Sequence, residues 1–289
     1  MIPTLSKYLL DLHPFKFAIS SDLNCVHKNL KTIYGDLVGD YDDSIVDYEL
    51  TIKSTQGLRK FIKPQARFFC DQKEPFKALS HDKAYAFLEW GMNWVIAAHE
   101  VQHVIIHSAV LAKGNKAILF PAPPGSGKST LTAYLAFNGW RLLSDEMALI
   151  IPNTTTITPF VRPICLKNQS INIAKDLCLN ANFSELAKNT HKGDVIHMSP
   201  PKLSWDKRME NAELVAVVFP NFRADINLQI YELNKCQAYM ELVKNAFNYS
   251  VLRNTAFSTL TKVIDNIKTF EIFHNNLAEV KDFLEQDVL

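Results

Sequence analysis

Residues 116–130 constrain the fold of this chain more than any other segment. They read KAILFPAPPGSGKST, which is an apolar run, a loop of small residues and prolines, and a Gly-Lys-Ser-Thr sequence that can begin a helix. This order is typical of a phosphate-binding loop, in which backbone N–H groups and the amino end of a helix surround a polyphosphate. In such loops the lysine contacts the β- and γ-phosphates, and the serine hydroxyl reaches Mg²⁺. The segment therefore predicts a chain that binds a nucleoside triphosphate.

The loop itself spans residues 122–129 and begins with Ala122, where the strict form of the pattern has Gly. A strand-like run precedes it, and a helix-compatible run follows it as far as Gly139, a suitable helix end. Because Lys128 is the one cation within loop residues 122–129, backbone amides and the helix dipole must bind most of the phosphate charge. The residues expected to contact the nucleotide are Pro124, Gly125, Ser126, Gly127, Lys128, Ser129 and Thr130.

Two adjacent carboxylates, Asp145 and Glu146, close the strand-like run that follows the predicted loop helix. A carboxylate at this position can hold Mg²⁺, directly or through water, and a second one can accept the proton of an incoming hydroxyl. The two would titrate as a coupled pair, so the sequence does not divide these roles between them. The alternative is a polar strand end that faces water.

Three cations and one histidine are further candidates. Arg162, Lys167 and Lys192 lie in otherwise apolar or Gly-containing segments, where they could neutralise the charge of a transferring phosphoryl group. Surface pairing with nearby carboxylates is the alternative for each of them. His107 lies inside a predicted strand, and its residue chemistry alone favours a structural role.

Alternating and helical apolar patterns predict an α/β fold. Residues 104–112 and 116–120 are predicted strands, and the Lys-Gly-Asn sequence between them is typical of a hairpin turn, so the strand before the loop should have an antiparallel partner. Residues 214–219, bounded by Pro220, predict a central strand buried on both faces. Other predicted strands are 15–20, 47–53, 67–71, 140–144, 147–151, 226–233 and 269–273, and predicted helices are 81–100, 131–138, 235–267 (interrupted near Asn254) and 277–285.

The chain has 289 residues and no linker rich in Pro, Gly or Ser. Residues 1–80 predict a strand-rich α+β module in which acceptor recognition could lie, and residues 81–289 predict the phosphate-loop domain. Lys plus Arg number 31 and Asp plus Glu number 30, which gives a net charge of +1. That balance offers no electrostatic case for binding nucleic acid or an anionic membrane.

The five cysteines are odd in number and scattered, and none has CxxC spacing, so neither a zinc site nor a disulfide framework is expected. The amino-terminal residues lack the charged-then-apolar order of a signal peptide. No apolar run reaches the ~18–20 residues of a membrane span. A soluble, cytoplasmic protein is therefore predicted.

The loop, the carboxylates and His107 together resemble the catalytic core of HPr kinase/phosphorylase. The resemblance lies in the block that joins His107-Ser-Ala-Val, the loop, and Gly-Trp-Arg-Leu-Leu-Ser-Asp-Glu at residues 139–146. Within that superfamily the chain is most similar to the group called HprK-related kinase A (HPr-rel-A), over roughly residues 85–255. The other segments that look like this group are residues 88–94, 162–168, 191–193 with His197, and 245–250.

The resemblance implies a phosphoenolpyruvate-carboxykinase-like P-loop core with a mixed sheet. It also implies phosphoryl transfer from ATP to a hydroxyl, usually a serine, with Mg²⁺. HPr kinase has a histidine and two consecutive aspartates where this chain has His107, Asp145 and Glu146, so the resemblance implies an active site there. The chain differs from HPr kinase at two positions: Glu146 replaces the second aspartate, and Thr130 replaces a glutamate.

The resemblance bears on the partners as well. The short carboxy-terminal motif with which HPr kinase binds its protein substrate is not visible in this sequence, so an acceptor other than HPr is expected. Relatives of this kind include kinases that phosphorylate a precursor peptide on serine, which implies a peptide acceptor. HPr kinases assemble into hexamers, so the resemblance allows a homo-oligomer, but no interface is identifiable in the sequence and the oligomeric state stays open.

The leading hypothesis is an ATP- and Mg²⁺-dependent kinase that phosphorylates a serine of a peptide or protein. Lys128 and the loop amides would hold the phosphates, Ser129 with Asp145 or Glu146 would hold Mg²⁺, and one of these carboxylates, assisted by His107, would take the hydroxyl proton. Arg162 and Lys192 would contact the acceptor or the γ-phosphate. Two alternatives stay open: a kinase for a small hydroxylated metabolite, and a nucleotide-gated interaction protein with little turnover.

Overall fold

The computed structural model describes residues 5–55 and 62–289. Within those residues, helices and three β-sheets make the chain an α/β protein, as predicted. The functional division expected at residue 80 stays a prediction. The chain forms two compact units, the first made of Met1–Ile96, Cys165–Ile171 and Asn180–Ser199, and the second of Ala97–Ile164, Asn172–Leu179 and Pro200–Leu289.

The secondary structure of the described residues is as follows. The strands are β1 (Ser6–Asp11), β2 (Lys16–Ser21), β3 (Val38–Asp40), β4 (Tyr48–Ser54), β5 (Gln65–Cys70), β6 (Leu79–Ser80), β7 (Val104–Ile106), β8 (Ser108–Lys113), β9 (Lys116–Pro121), β10 (Arg141–Ser144), β11 (Ala148–Ile150), β12 (Thr156–Thr158), β13 (Ile164–Lys167), β14 (Ala187–Thr190), β15 (Gly193–Met198), β16 (Ala212–Phe222), β17 (Gln229–Glu232) and β18 (Lys268–His274). The helices are α1 (Asn24–Tyr34), α2 (Ala84–His99), α3 (Lys128–Phe137), α4 (Gln169–Leu177), α5 (Lys202–Asp206), α6 (Lys235–Lys244), α7 (Tyr249–Leu252), α8 (Asn254–Asn266) and α9 (Leu277–Phe283). No helix in the described ranges combines the length and the apolar character needed to cross a bilayer.

The first unit is built on a six-stranded sheet with the order β3-β1-β2-β4-β5-β6. Strands β2 and β4 are parallel, and the other neighbours are antiparallel. Helix α1 buries Val26, Leu30 and Ile33, which recur at helical spacing and form its apolar face. The sequence analysis did not predict β1, β3 or α1; β3 has too few residues to show a period, whereas the helical spacing in α1 was present in the sequence and was not recognised.

The second unit is built on a nine-stranded sheet in which β10-β8-β9-β16-β12-β11-β7 follow one another and β18 joins β16 to β17. Strand β16 is parallel to β9 and to β18, whereas the other neighbours are antiparallel, so the sheet is mixed. Its buried core includes Val110, Leu119, Ile150, Val217 and Leu260. Burial of such side chains contributes about 1.5–3 kcal/mol each to the stability of the unit.

The predicted hairpin before the loop is confirmed. Strands β8 and β9 pair antiparallel from Lys113↔Lys116 to Ser108↔Pro121. The turn has Gly114 at a φ of 60°, as hairpin turns of this length require. The strand that enters the loop therefore has an antiparallel partner on one side and the parallel strand β16 on the other.

The prediction of one continuous strand over residues 104–112 was wrong. Strand β7 ends at Ile106 and pairs with β11, whereas β8 begins at Ser108 and pairs with β9 and β10. His107 lies at the break, where its N–H donates to the carbonyl oxygen of Asn245 at 2.7 Å. His107 and Ser108 interrupt the apolar run at the break, but polar residues inside a predicted strand do not by themselves reveal a change of pairing partner.

Strand β16 also differs from its prediction, because it continues past Pro220 to Phe222. Residues two apart on a strand direct their N–H groups to the same side, and the N–H of Phe222 donates to the carbonyl oxygen of Ser126 at 2.9 Å. On that side the pairing with β9 has already ended at Val217. The missing N–H of proline therefore interrupts no ladder hydrogen bond at this position.

Candidate functional site

The predicted phosphate loop connects the end of β9 to the start of α3. Gly125 and Gly127 have φ values of 88° and 84°, and Gly127 is the residue that precedes the first turn of α3. The N–H of Leu131 bonds the carbonyl oxygen of Gly127 at 3.0 Å, which closes that turn. Because the first N–H groups of a helix have no acceptor within the helix, they are available to an anion at this end.

Ser126 lies at the middle of the loop and is 7% exposed. Its carbonyl oxygen accepts from Phe222 on β16, and its N–H donates to Pro123 of the same loop at 3.3 Å, so the loop backbone is held by β16 and by its own turn. The Ser126 hydroxyl is buried and has no hydrogen-bond partner among the described residues. Leaving a buried hydroxyl unpaired costs about 1–3 kcal/mol, so a phosphate oxygen that accepted from it would stabilise the loop. The loop residues therefore fit a polyphosphate.

A first prediction concerns Gly127. A Cβ atom at this position would lie 2.9 Å from the Cβ of Phe222, in a backbone conformation that L residues rarely adopt. Gly127→Ala should therefore strain the loop by about 1–3 kcal/mol and weaken ATP binding by about tenfold or more. The affinity for ATP can be measured by isothermal titration calorimetry.

Gly114→Ala is the matched control for this prediction. Gly114 also has a positive φ, but nothing lies within 4 Å of its added Cβ, and it belongs to the hairpin turn rather than to the loop. We expect this variant to lose some stability and to keep its ATP affinity. Equal ATP affinity in the two variants would contradict the role given to the close approach of Gly127 and Phe222.

Lys128 connects the loop to the predicted carboxylates. Its Nζ donates to the backbone carbonyl oxygen of Asp145 at 3.0 Å. Asp145 directly follows β10 and is 1% exposed, while Glu146 is half-buried. The Ser144 hydroxyl accepts from the N–H of Met147 at 2.9 Å and so fixes the turn that carries both carboxylates. The structure thus brings the loop lysine and the Asp145-Glu146 pair together.

His107 adjoins the same turn, because the N–H of the next residue, Ser108, donates to the carbonyl oxygen of Glu146 at 3.3 Å. The imidazole stacks on the ring of Phe247, with centroids 5.3 Å apart and an interplanar angle of 16°. Phe247 is itself held by its N–H, which donates to Ile105 at 2.9 Å. The stack fixes the plane of the imidazole, and the backbone contact of Ser108 brings His107 to the turn that carries the carboxylates.

Phe247 is a candidate site residue that the sequence did not single out for a role. It is 45% exposed although it is aromatic, and it lies in the connection between α6 and α7. Its segment was noted only for the family resemblance. An Asn-Ala-Phe-Asn sequence carries no pattern that reveals stacking on a residue 140 positions earlier, so only the tertiary structure could place it.

The three predicted cations are divided between the units, with Arg162 in the second unit and Lys167 and Lys192 in the first. Arg162, in the second unit, is 6% exposed, and its guanidinium lies 5.4 Å from the centre of the Phe160 ring. The N–H of Phe160 bonds Leu143 at 2.9 Å, which ties this segment to β10, two residues before Asp145. Lys192 belongs to the first unit, where it lies near Trp90.

The side chains proposed for Mg²⁺, those of Ser129, Asp145 and Glu146, offer a hydroxyl and two carboxylates. Such oxygen ligands are the ones that Mg²⁺ prefers. The part of the chain that the structure describes contains no group of three or more His, Cys, Asp or Glu side chains arranged for a metal ion. A magnesium ion at this turn would therefore depend on the serine hydroxyl and on phosphate oxygens as well as on the carboxylates.

A buried histidine lies behind the loop. His274 ends β18 as the register partner of Phe222, and the two rings meet edge to face with centroids 5.9 Å apart. The imidazole is 1% exposed, and neither ring nitrogen has a hydrogen-bond partner in the described ranges. Burial lowers the pKa of His274 below its ordinary value of 6.5, because the charged imidazolium would lose its hydration.

A second prediction follows from this pKa. Below about pH 6.5 the unfolded chain binds a proton at His274 more readily than the folded chain, so the free energy of unfolding should decrease as the pH falls. His274→Phe should remove this contribution, on the order of 1 kcal/mol for each pH unit in that window. Urea unfolding of wild type and variant at pH 7.5 and pH 5.5 measures this contribution. The difference between the two proteins at pH 7.5 gives the effect of the substitution on packing alone. If the free energy of unfolding fell by the same amount in wild type and variant between these pH values, His274 would not be the source of the pH dependence.

Comparison with known proteins assigns no family to this site. No protein-family model matches the chain, and no curated protein matches it. The chemistry of the site is therefore argued from the loop, its lysine, the adjacent carboxylates and the stacked histidine.

Proposed function

We propose that the chain is an ATP- and Mg²⁺-dependent kinase that transfers the γ-phosphate to a hydroxyl, most favourably the serine of a peptide or protein. The observation that carries the proposal is the 3.0 Å hydrogen bond from Lys128 Nζ to the carbonyl oxygen of Asp145. This contact holds a phosphate-binding lysine against a buried carboxylate residue. A carboxylate beside this lysine would be placed to hold Mg²⁺ or to accept the proton of an attacking hydroxyl, and phosphoryl transfer uses both.

The donor side rests on the loop. The first N–H groups of α3 and the dipole of that helix would bind the β- and γ-phosphates, together with the Lys128 ammonium. The buried Ser126 hydroxyl would donate to a phosphate oxygen and so gain the partner that it lacks in the described chain. Ser129, Asp145 and Glu146 would hold Mg²⁺, which neutralises charge on the β- and γ-phosphate oxygens when it is bound.

The acceptor side rests on the carboxylates. As the acceptor hydroxyl attacks, a bond forms between its oxygen and the γ-phosphorus, and the bond from that phosphorus to the β,γ-bridging oxygen breaks, which releases ADP. Asp145 or Glu146 would take the hydroxyl proton. His107, held in plane by Phe247, would assist that transfer, and Arg162 would offset the negative charge of the transferring group.

The same observations support a placement within the HPr kinase/phosphorylase superfamily, near HprK-related kinase A, with a phosphoenolpyruvate-carboxykinase-like core. The support is the antiparallel hairpin that enters the loop, the mixed sheet, and the resemblance of the quoted segments. None of the five cysteines forms a disulfide, which suits the reducing interior of a cell, and we place the enzyme in the cytoplasm.

The decisive experiment offers the protein γ-labelled ATP and Mg²⁺ with cell extract separated into peptide and metabolite fractions. We expect label to enter the peptide fraction on serine and to be absent with Lys128→Ala protein. Label in the metabolite fraction alone would show that the acceptor is a small hydroxylated compound and not a peptide. ATP binding without label transfer to either fraction would contradict the proposed kinase activity and favour a nucleotide-gated interaction protein.

A further inference from the structure

Phe222 is an exposed aromatic residue directly beside the phosphate loop. It is the last residue of β16 and is 47% exposed. Its N–H donates to the carbonyl oxygen of Ser126 at 2.9 Å, and its Cβ would lie 2.9 Å from a Cβ atom built on Gly127. These contacts use the backbone and the Cβ atom of Phe222. They place the residue against the loop without using its ring.

The ring of Phe222 is oriented by its neighbour on β18. His274, its register partner, meets it edge to face, with centroids 5.9 Å apart and an interplanar angle of 74°. His274 is buried, and its carbonyl oxygen accepts from the N–H of Arg223, the residue after Phe222, at 2.9 Å. Phe222 is therefore held by the fold while nearly half of it stays in contact with solvent.

The order of the strands puts Phe222 and the carboxylates on opposite sides of the loop. Strand β8 is antiparallel to β9 and to β10, and β16 is parallel to β9, so β10, β9 and β16 all end at the same edge of the sheet. The order along that edge is β10-β8-β9-β16. Asp145 and Glu146 follow β10 on one side of the loop, whereas Phe222 ends β16 on the other side.

This arrangement sets the direction in which a nucleotide would lie. Its γ-phosphate has to face Asp145 and Glu146 if one of them is to accept the proton of the attacking hydroxyl. The nucleoside, at the opposite end of the triphosphate, then lies on the β16 side of the loop. Three strand spacings, about 14 Å, separate β10 from β16, and an extended nucleoside triphosphate can cover that span.

An exposed aromatic ring on the nucleoside side is suited to a base. Bases stack on aromatic side chains through their π-faces, and a purine offers a larger face than a pyrimidine. The phenylalanine ring has no hydrogen-bonding group, so stacking on it does not distinguish adenine from guanine. The chemistry therefore favours a purine nucleotide of either kind.

We propose that Phe222 stacks on the base of the bound nucleotide and that the site takes a purine nucleoside triphosphate. The inference rests on the proposed kinase function, because that function sets which end of the triphosphate faces the carboxylates. It adds a residue that binds the nucleoside, whereas the loop amides, Lys128 and the carboxylates act on the phosphates and on Mg²⁺.

Phe222→Ala tests the proposal, because alanine keeps the N–H and the Cβ atom that contact the loop and removes only the ring. In calorimetric titrations with Mg²⁺, we expect the affinity for ATP to fall by about tenfold. The affinity for inorganic tripolyphosphate, which has no base, should stay unchanged. Wild type should bind ATP and GTP more tightly than CTP, and the variant should reduce that difference.

Two further variants complete the test. Phe257→Ala is the matched control, because Phe257 is an exposed phenylalanine of α8 in the same unit, and its loss should leave both affinities unchanged. Phe222→Trp keeps an aromatic face and should bind ATP at least as tightly as wild type. The fluorescence that this variant adds should be quenched by ATP and not by tripolyphosphate.

The contradicting outcomes separate this proposal from the kinase proposal. An ATP affinity in Phe222→Ala equal to that of Phe257→Ala would overturn the stacking role and leave the kinase proposal standing. An equal loss of affinity for ATP and for tripolyphosphate would show that the ring supports the loop and contacts no base. Ring-dependent ATP binding without transfer of label to any acceptor would contradict the kinase and keep Phe222 as the base-stacking residue. A wild-type protein that bound neither ATP nor tripolyphosphate would overturn both proposals.

Discussion

Lys128→Ala should abolish phosphoryl transfer and lower the affinity for ATP by about 100-fold or more. The ammonium of Lys128 is the one cation of the loop, and a hydrogen bond to a charged group contributes about 1.5–3 kcal/mol. Loss of the contacts that we propose between Lys128 and two phosphates would have an effect of this size. The backbone amides of α3 would still attract the anion weakly. The variant also loses the hydrogen bond to Asp145, which loosens the turn that carries the carboxylates.

Calorimetric titration with ATP and Mg²⁺ measures the affinity, and transfer of label from γ-labelled ATP measures the activity. Lys262→Ala is the matched control, because Lys262 is an exposed lysine of α8 in the same unit and its loss changes the net charge equally. Thermal unfolding shows whether each variant is folded. An ATP affinity in Lys128→Ala equal to that of the control would exclude Lys128 as a phosphate ligand.

Asp145→Asn should retain ATP binding and lose most of the turnover. The contact between Asp145 and Lys128 uses the backbone carbonyl oxygen, which the substitution leaves in place, and Asn has nearly the shape of Asp at this buried position. The amide cannot accept the proton of the acceptor hydroxyl. Removal of a general base typically costs about 10²–10⁴-fold in rate.

Glu146→Gln is the natural comparison for this variant. Both substitutions remove one negative charge from the same turn, so the one with the larger loss of turnover at equal ATP affinity identifies the proton acceptor. Single-turnover transfer to the peptide acceptor separates this step from ADP release. Unchanged transfer in Asp145→Asn would sink the assignment of the base to Asp145 and leave Glu146 in that role.

The sequence predicted those parts of the fold whose pattern lies within a short stretch of residues. The Lys-Gly-Asn turn predicted the β8–β9 hairpin, and the structure confirms it. The apolar spacing of residues 81–100 predicted a buried helix, which is α2. Both signals lie within a few neighbouring residues, so they do not depend on the path of the rest of the chain.

Other parts depended on pairing between distant segments. The break at His107 arises because its N–H bonds Asn245 instead of a neighbouring strand. The continuation of β16 past Pro220 is allowed because β9 has already ended beside it. Neither event can be predicted from the hydrophobic pattern, because a change of pairing partner depends on which segments meet and not on which residues are apolar.

The candidate site divides in the same way. By itself the sequence was enough to predict a phosphate loop, since such a loop works through consecutive amides, one lysine and a helix start, all within residues 122–130. Only the tertiary structure decided that Lys128 bonds Asp145, that Phe247 stacks on His107, and that Phe222 lies against Gly127. Contacts between residues so far apart follow from strand order and register, which short-range patterns do not encode.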